Sequence, residues 1–133
     1  MKNKNQNIKF VYLYRDASNY KQWGHVTFPN PEGVDADNLD RRLRAAMMVD
    51  STFMAGQVRV PEVFLFNTMG INEDDHCLHE YDSLEIVQER ANDKQGRSIL
   101  EFVGEVERAA LRGWEGFVPA IALTTVERFK LLL

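Results

Sequence analysis

The stretch Glu73-Asp-Asp-His-Cys-Leu-His-Glu-Tyr-Asp82 gathers two of the chain's three histidines, its single cysteine and five carboxylates. Imidazole, thiolate and carboxylate are the side chains that ligate metals and move protons near neutral pH. His76, Cys77, His79, Glu80 and Asp82 are therefore the first candidate site residues. Spacing limits what they can do. In an extended segment successive side chains alternate faces, so His76 and His79 are opposed. His76 and Glu80 share a face about 13 Å apart at roughly 3.3 Å per residue, too far for one ion. Cys77 and His79 are next neighbours on one face and could share an ion completed from elsewhere. In a helix, His76, His79 and Glu80 would lie together at i, i+3 and i+4. Neither case reproduces His-Glu-x-x-His, paired Cys-x-x-Cys or an EF-hand loop. The expectation is no bound metal and no cofactor, with His79 a half-buried imidazole bonded to a neighbouring carboxylate and Cys77 a small buried hydrophobe. An acidic surround also works against a reactive thiolate.

A second cluster lies in Tyr12, Tyr14, Arg15, Asp16, Tyr20, Trp23 and His25. Aromatics beside an arginine can stack on a base or ring ligand. More commonly such residues are cross-strand pairs that stabilise a sheet, and that structural reading is preferred here. If they line a pocket, Arg15 and His25 form its cationic side. His25 is the only imidazole outside the 73–82 stretch, so an enzyme reading requires it near His79. No nucleophile elbow, phosphate loop or dinucleotide fingerprint is present.

The elements that must position these residues follow from periodicity. Ile8 to Arg15 reads as a strand apolar on both faces in its middle. Asp16-Ala-Ser-Asn19 is turn chemistry, and Gln22 to Phe28 is the hairpin partner. Asp35 is an N-cap, with Val34 placed to staple onto Leu39, for a helix reaching about Val49. Its buried stripe is Leu39, Leu43, Ala46 and Met47, while Arg41, Arg42 and Arg44 lie outside it. Pro61 to Phe66 reads as a third strand and Leu78 to Val87 as a fourth. Ser98-Ile-Leu-Glu101 is a capping box opening a helix to about Arg112 that buries Ile99, Phe102, Val103, Val106 and Ala110, stopped by Gly113. Phe117 to Leu123 reads as a last strand and Thr124 to Leu133 as a short closing helix. The fold class is α+β, a mainly antiparallel sheet with two principal helices in the order β-β-α-β-β-α-β-α. A ferredoxin-like core with an extra N-terminal strand fits this order. A two-fold β-β-α arrangement fits the first 112 residues equally well.

A chain of 133 residues is expected to be one domain, able to bury roughly two-thirds of its unfolded surface. Its apolar fraction of 44% and charged fraction of 27% are ordinary globular values. One cysteine makes no internal disulfide, and the N-terminal lysines precede no apolar signal core, so a cytoplasmic setting is expected. The longest apolar run, Phe117 to Leu123, is far too short to span a membrane. The net charge of -4 hides an asymmetry. Lys2, Lys4, Lys9, Arg15 and Lys21 face only Asp16 in residues 1–24, whereas residues 73–89 carry seven carboxylates and no Lys or Arg. Two solvated segments that attract each other explain this more simply than an acidic binding surface. An acidic chain without a dominant basic face is not expected to bind nucleic acid. Phe129, Leu132 and Leu133 offer more apolar surface than a short terminal helix easily hides, and the expected partner is a second copy in a homodimer.

The segments Tyr12-Leu-Tyr-Arg-Asp-Ala-Ser-Asn-Tyr-Lys-Gln-Trp-Gly24 and Glu73 to Asp82 together resemble a family of small uncharacterised bacterial proteins, over most of the chain. The resemblance implies a bacterial cytoplasmic setting and brings no catalytic residues with it. The residues themselves lead to a small intracellular binding or interaction protein without catalysis of its own, its small-molecule or protein ligand unspecified. The alternative is a metal-dependent or acid-base enzyme centred on His76, His79, Glu80 and Asp82.

Overall fold

A computed structural model of the chain describes residues 6–65 and 76–116. Strand β1 is Asn7–Arg15 and β2 is Lys21–Pro29, paired antiparallel through a turn in which Asn19 takes a positive φ of 69°. Helix α1, Ala36–Ala46, follows, and then a two-residue strand β3, Thr52–Phe53. Strand β4 is His79–Val87 and helix α2 is Ile99–Arg112. The sheet order is β2-β1-β4-β3, with every neighbouring pair antiparallel. The fold is thus α+β, among the described residues an antiparallel sheet with two principal helices. β1 and β3 flank β4 in the split arrangement, and the strand beyond that arrangement is β2, at the sheet edge. The expected strand and helix after Gly116 lie outside the described residues.

Alternation assigns the faces. Ile8, Phe10, Tyr12 and Tyr14 of β1 are all buried, and they share a face with Val26, Phe28, His79 and Tyr81. Both helices pack on this face through Leu39 and Leu43 of α1 and Ile99, Phe102, Val103, Val106 and Ala109 of α2. The ring of Phe10 stacks parallel to that of Tyr81 with centroids 5.3 Å apart, and Phe28 stacks on Phe102 at 4.6 Å. Such pairs add about 0.5–1.5 kcal/mol each beyond their buried area. Tyr12 lies opposite Gly24, and a Cβ at Gly24 would stand 2.9 Å from the Tyr12 ring, so only glycine lets that ring lie across β2.

Capping follows the sequence reading closely. Asp35 accepts the Asn38 N–H at 3.3 Å, and Val34 is partly buried against the core. Ser98 Oγ accepts the Glu101 N–H while Glu101 Oε1 accepts the Ser98 N–H, each at 3.1 Å. Gly113, at φ 102°, ends α2 by donating its N–H to Ala109 and Ala110. Ser98→Ala should destabilise by about 1 kcal/mol. An unchanged urea midpoint would remove the capping role.

Three boundaries differ from expectation. Helix α1 stops at Ala46 rather than near Val49, because Met47 turns extended and Met48 exchanges backbone hydrogen bonds with Thr52. Ala109, not Ala110, is the last buried residue of α2. The strand expected at Pro61–Phe66 is absent from residues 61–65, and Thr52–Phe53 takes the place beside β4. Side chains bind the 61–65 backbone instead of a ladder. Tyr12 Oη donates to the Pro61 carbonyl at 2.7 Å, and the Val63 N–H donates to the His79 ring at 3.0 Å. Phe64 and Leu65 are consecutive and both buried, so the apolar run fills a packed loop.

Candidate functional site

The residues of the His-Cys-carboxylate stretch divide between the two faces of β4 and the turn that leads into it. His79 is completely buried, facing the helices. Its ring lies among Phe64 at 4.6 Å, Tyr14 at 5.8 Å, Tyr12 at 6.0 Å and Phe53 at 6.1 Å between centroids. Nε2 accepts the Val63 N–H, which places the ring proton on Nδ1. Nδ1 is buried and, among the described residues, has no hydrogen-bond partner. Burial, with a smaller contribution from nearby His76, pushes the imidazole pKa down to about 4. His79 is therefore neutral at pH 7, bonded to a backbone amide and not to the carboxylate the sequence suggested.

His76 is the opposite tautomer. Its Nδ1 accepts the Leu78 N–H at 3.0 Å, so Nε2 carries the proton and donates to the Arg15 carbonyl at 2.6 Å. Its own N–H donates to Tyr14 Oη at 3.1 Å. The segment entering β4 is thus fastened to the end of β1 by one imidazole, and to the 61–65 loop by the other. Cys77 is buried and unpaired by any disulfide, with Gly116 packed against its Sγ, as expected for a small hydrophobe.

Glu80 points to the sheet face away from the helices, where it meets Arg15. Arg15 Nε donates to Glu80 Oε1 at 3.0 Å and Nη2 to Oε2 at 3.3 Å. Both side chains are about one-third exposed, so the pair contributes little stability. Arg15 also donates to Asn19 Oδ1. Asp82 is the extra residue of a β-bulge, because the β1–β4 register shifts between Val11↔Ser83 and Tyr12↔Tyr81. Its carbonyl accepts Arg44 Nη2 at 2.8 Å, and its exposed carboxylate accepts the Ser83 hydroxyl. The Arg44 guanidinium lies 4.5 Å above the Tyr81 ring, whose hydroxyl donates to Asp40 Oδ1 at 2.5 Å.

His25 pairs with Val11 and stands exposed on the face away from the helices, so the sheet lies between it and His79. The structure brings together Arg15, His76 and Glu80, and separately His76 and His79, but not the two distant imidazoles that an enzyme reading requires. Among the described residues no three His, Cys, Asp or Glu groups are placed to hold one metal ion. Glu73, Asp74 and Asp75 lie outside those residues. No helix among the described residues is long and apolar enough to cross a membrane.

His25 does line a cleft of about 430 Å³, with Val26, Arg59, Val60, Pro61, Asn92 and Lys94 among the other lining residues. A second cleft of about 430 Å³ lies at the N-terminus of α1, beside Asn7, Asn30, Val34 and the exposed Ile86.

One centre was not marked out by the sequence reading. Arg97, from the loop before α2, is 5% exposed and uses its whole guanidinium. Nε and Nη2 grip the two Asp93 oxygens at 2.9 Å each, Nη1 donates to the Val58 carbonyl at 2.7 Å and to Glu105, and Nη2 donates to the Arg59 carbonyl at 3.0 Å. The cation lies 5.1 Å from the Phe102 ring centre and 5.6 Å from that of Phe28. The Asp93/Arg97 spacing of four just before a capping box is the only sequence signal for it. No family model, curated protein or solved structure matches this chain.

Proposed function

We propose that the chain is a small intracellular binding or interaction protein, without catalysis of its own, that acts as a homodimer. One observation carries the reading. His76 and His79 direct ring nitrogens to backbone groups of neighbouring segments, which makes them fasteners of the fold. Aromatic side chains left open to contact lie on the first hairpin. Trp23 is 52% and Tyr20 62% exposed, and they are the exposed large aromatics among the described residues. Trp23 and His25 occupy the sheet face on which the described residues place neither helix. Large aromatics with such exposure are typical of surfaces that receive a partner.

Light scattering on the full chain should give twice the 15.4 kDa chain mass. A single-chain mass removes the homodimer. Elemental analysis of protein purified without chelator separates the enzyme alternative. About one zinc or iron per chain, lost in His79→Ala, would favour the metal-centred reading over this one.

A further inference from the structure

Among the described residues β2 is an edge strand, and its outward backbone groups can be identified. The Thr27 N–H donates to Asn92 Oδ1 at 2.8 Å and the Thr27 carbonyl accepts the Asn92 N–H at 2.9 Å. Thr27 therefore turns its backbone groups away from β1. By the two-residue period so do His25, Trp23 and Lys21. The loop carrying Asn92 covers Thr27, and among the described residues no hydrogen bond reaches the outward groups of the other three. The opposite edge is closed off differently. β3 has two residues, and Thr52 is tied back to Met48. An open row of N–H and C=O groups on one edge is a template for another strand.

Three features say which strand. The open residues Lys21, Trp23 and His25 are symmetric about Trp23, so the edge is complementary to itself in an antiparallel pairing. The exposed aromatics of the described residues, Tyr20 and Trp23, both flank this edge. The cleft lined by Val26, Val60, Pro61 and Lys94 opens beside its far end.

We propose that two copies of the chain join through these edges into one continuous antiparallel sheet, with the two-fold axis at Trp23. Trp23 then lies against the partner's Trp23 on the face away from the helices. Lys21 lies opposite the partner's His25. The same register sets Val26 opposite the partner's Tyr20, so that ring falls at the cleft beside Val60 and Pro61. Asn92 ends the pairing where the partner hairpin turns away. Lys21 is the one formally charged side chain between Lys21 and His25, and it falls at the rim where its amine reaches water.

This inference rests on the homodimer reading, and charge exchange at the axis tests both separately. Trp23→Lys and Trp23→Glu each set like charges against one another across the axis, and each should weaken the dimer at least about tenfold. An equimolar mixture of the two variants should restore dimers, because residue 23 meets residue 23 only in this register. Tyr20→Asp, at an exposed position outside the strand, should also raise the dissociation constant. Circular dichroism and urea unfolding show that each variant keeps its fold. A monomeric wild-type chain overturns both the homodimer and this interface. A wild-type dimer that persists unchanged in all three variants overturns the edge and leaves the homodimer standing. Variants that dissociate alone but do not recombine when mixed overturn the two-fold at Trp23.

Discussion

Replacing Arg97 with Met should destabilise the protein by about 3–5 kcal/mol, the usual result of leaving a buried charge without its partner. Asp93 and Arg97 have side chains only 4% and 6% exposed. Burial alone would raise the Asp93 carboxyl, but the hydrogen bonds and charge of Arg97 outweigh it and hold it below the ordinary range. Without the guanidinium, Asp93 must either stay charged in a poor environment or take up a proton. The Val58 and Arg59 carbonyls lose their donor in the same step. Methionine fills a similar volume between Phe28 and Phe102, so the loss reads the polar network more than a cavity. Arg97→Lys keeps the charge but not the planar fork, and should recover less than half of the loss. Urea unfolding of the two variants decides the matter. A loss below about 1 kcal/mol for Arg97→Met would mean that water replaces the network at little cost.

That network also shows what a sequence can and cannot reveal. The capping box at Ser98, the N-cap at Asp35 and the first hairpin were legible because their signals are local. A serine and a glutamate three apart fix a helix start whatever surrounds them. Arg97 was not legible. A loop rich in Asn, Asp, Lys and Gln reads as solvated, and only its docking on β2 and on the 55–59 segment turns one of its arginines inward. The 61–65 segment failed for the complementary reason. Its run of apolar residues satisfies a strand pattern, yet Tyr12 and His79 supply hydrogen bonds to its backbone from outside. Composition identified His76 and His79 as residues of consequence, but could not say to what they were bonded. Parity along β4 correctly set Glu80 apart from His79. The separation of His25 from His79 depended on strand pairing, which no local spacing encodes.

His79 gives the second large effect, and its sign is fixed by which state binds the proton. In the unfolded chain an imidazole titrates near 6.5, whereas burial, aided by His76, holds His79 down at about 4 in the fold. Between those values the unfolded state binds more protons than the folded one. Stability is therefore fully present above pH 6.5, falls as pH drops toward 4 and levels off below. The interval, at 1.36 kcal/mol per pH unit, amounts to about 3 kcal/mol. Geometry gives the same direction. Protonating Nε2 would remove the acceptor of the Val63 N–H, and the ring would carry charge among Tyr12, Tyr14, Phe53 and Phe64 with no carboxylate of the described residues hydrogen-bonded to it. Carboxylates titrate at the lower end of the same range, so the informative interval is pH 6.5 to 5, above most of them. Urea unfolding there should show a steeper loss for the wild type than for His79→Gln, which retains an acceptor for Val63 but no titrating ring. The imidazole resonances of His79 should remain those of a neutral ring throughout this interval. If His79 instead titrates near 6.5, the ring is reached by water, and its unpartnered Nδ1 is not sealed in the core.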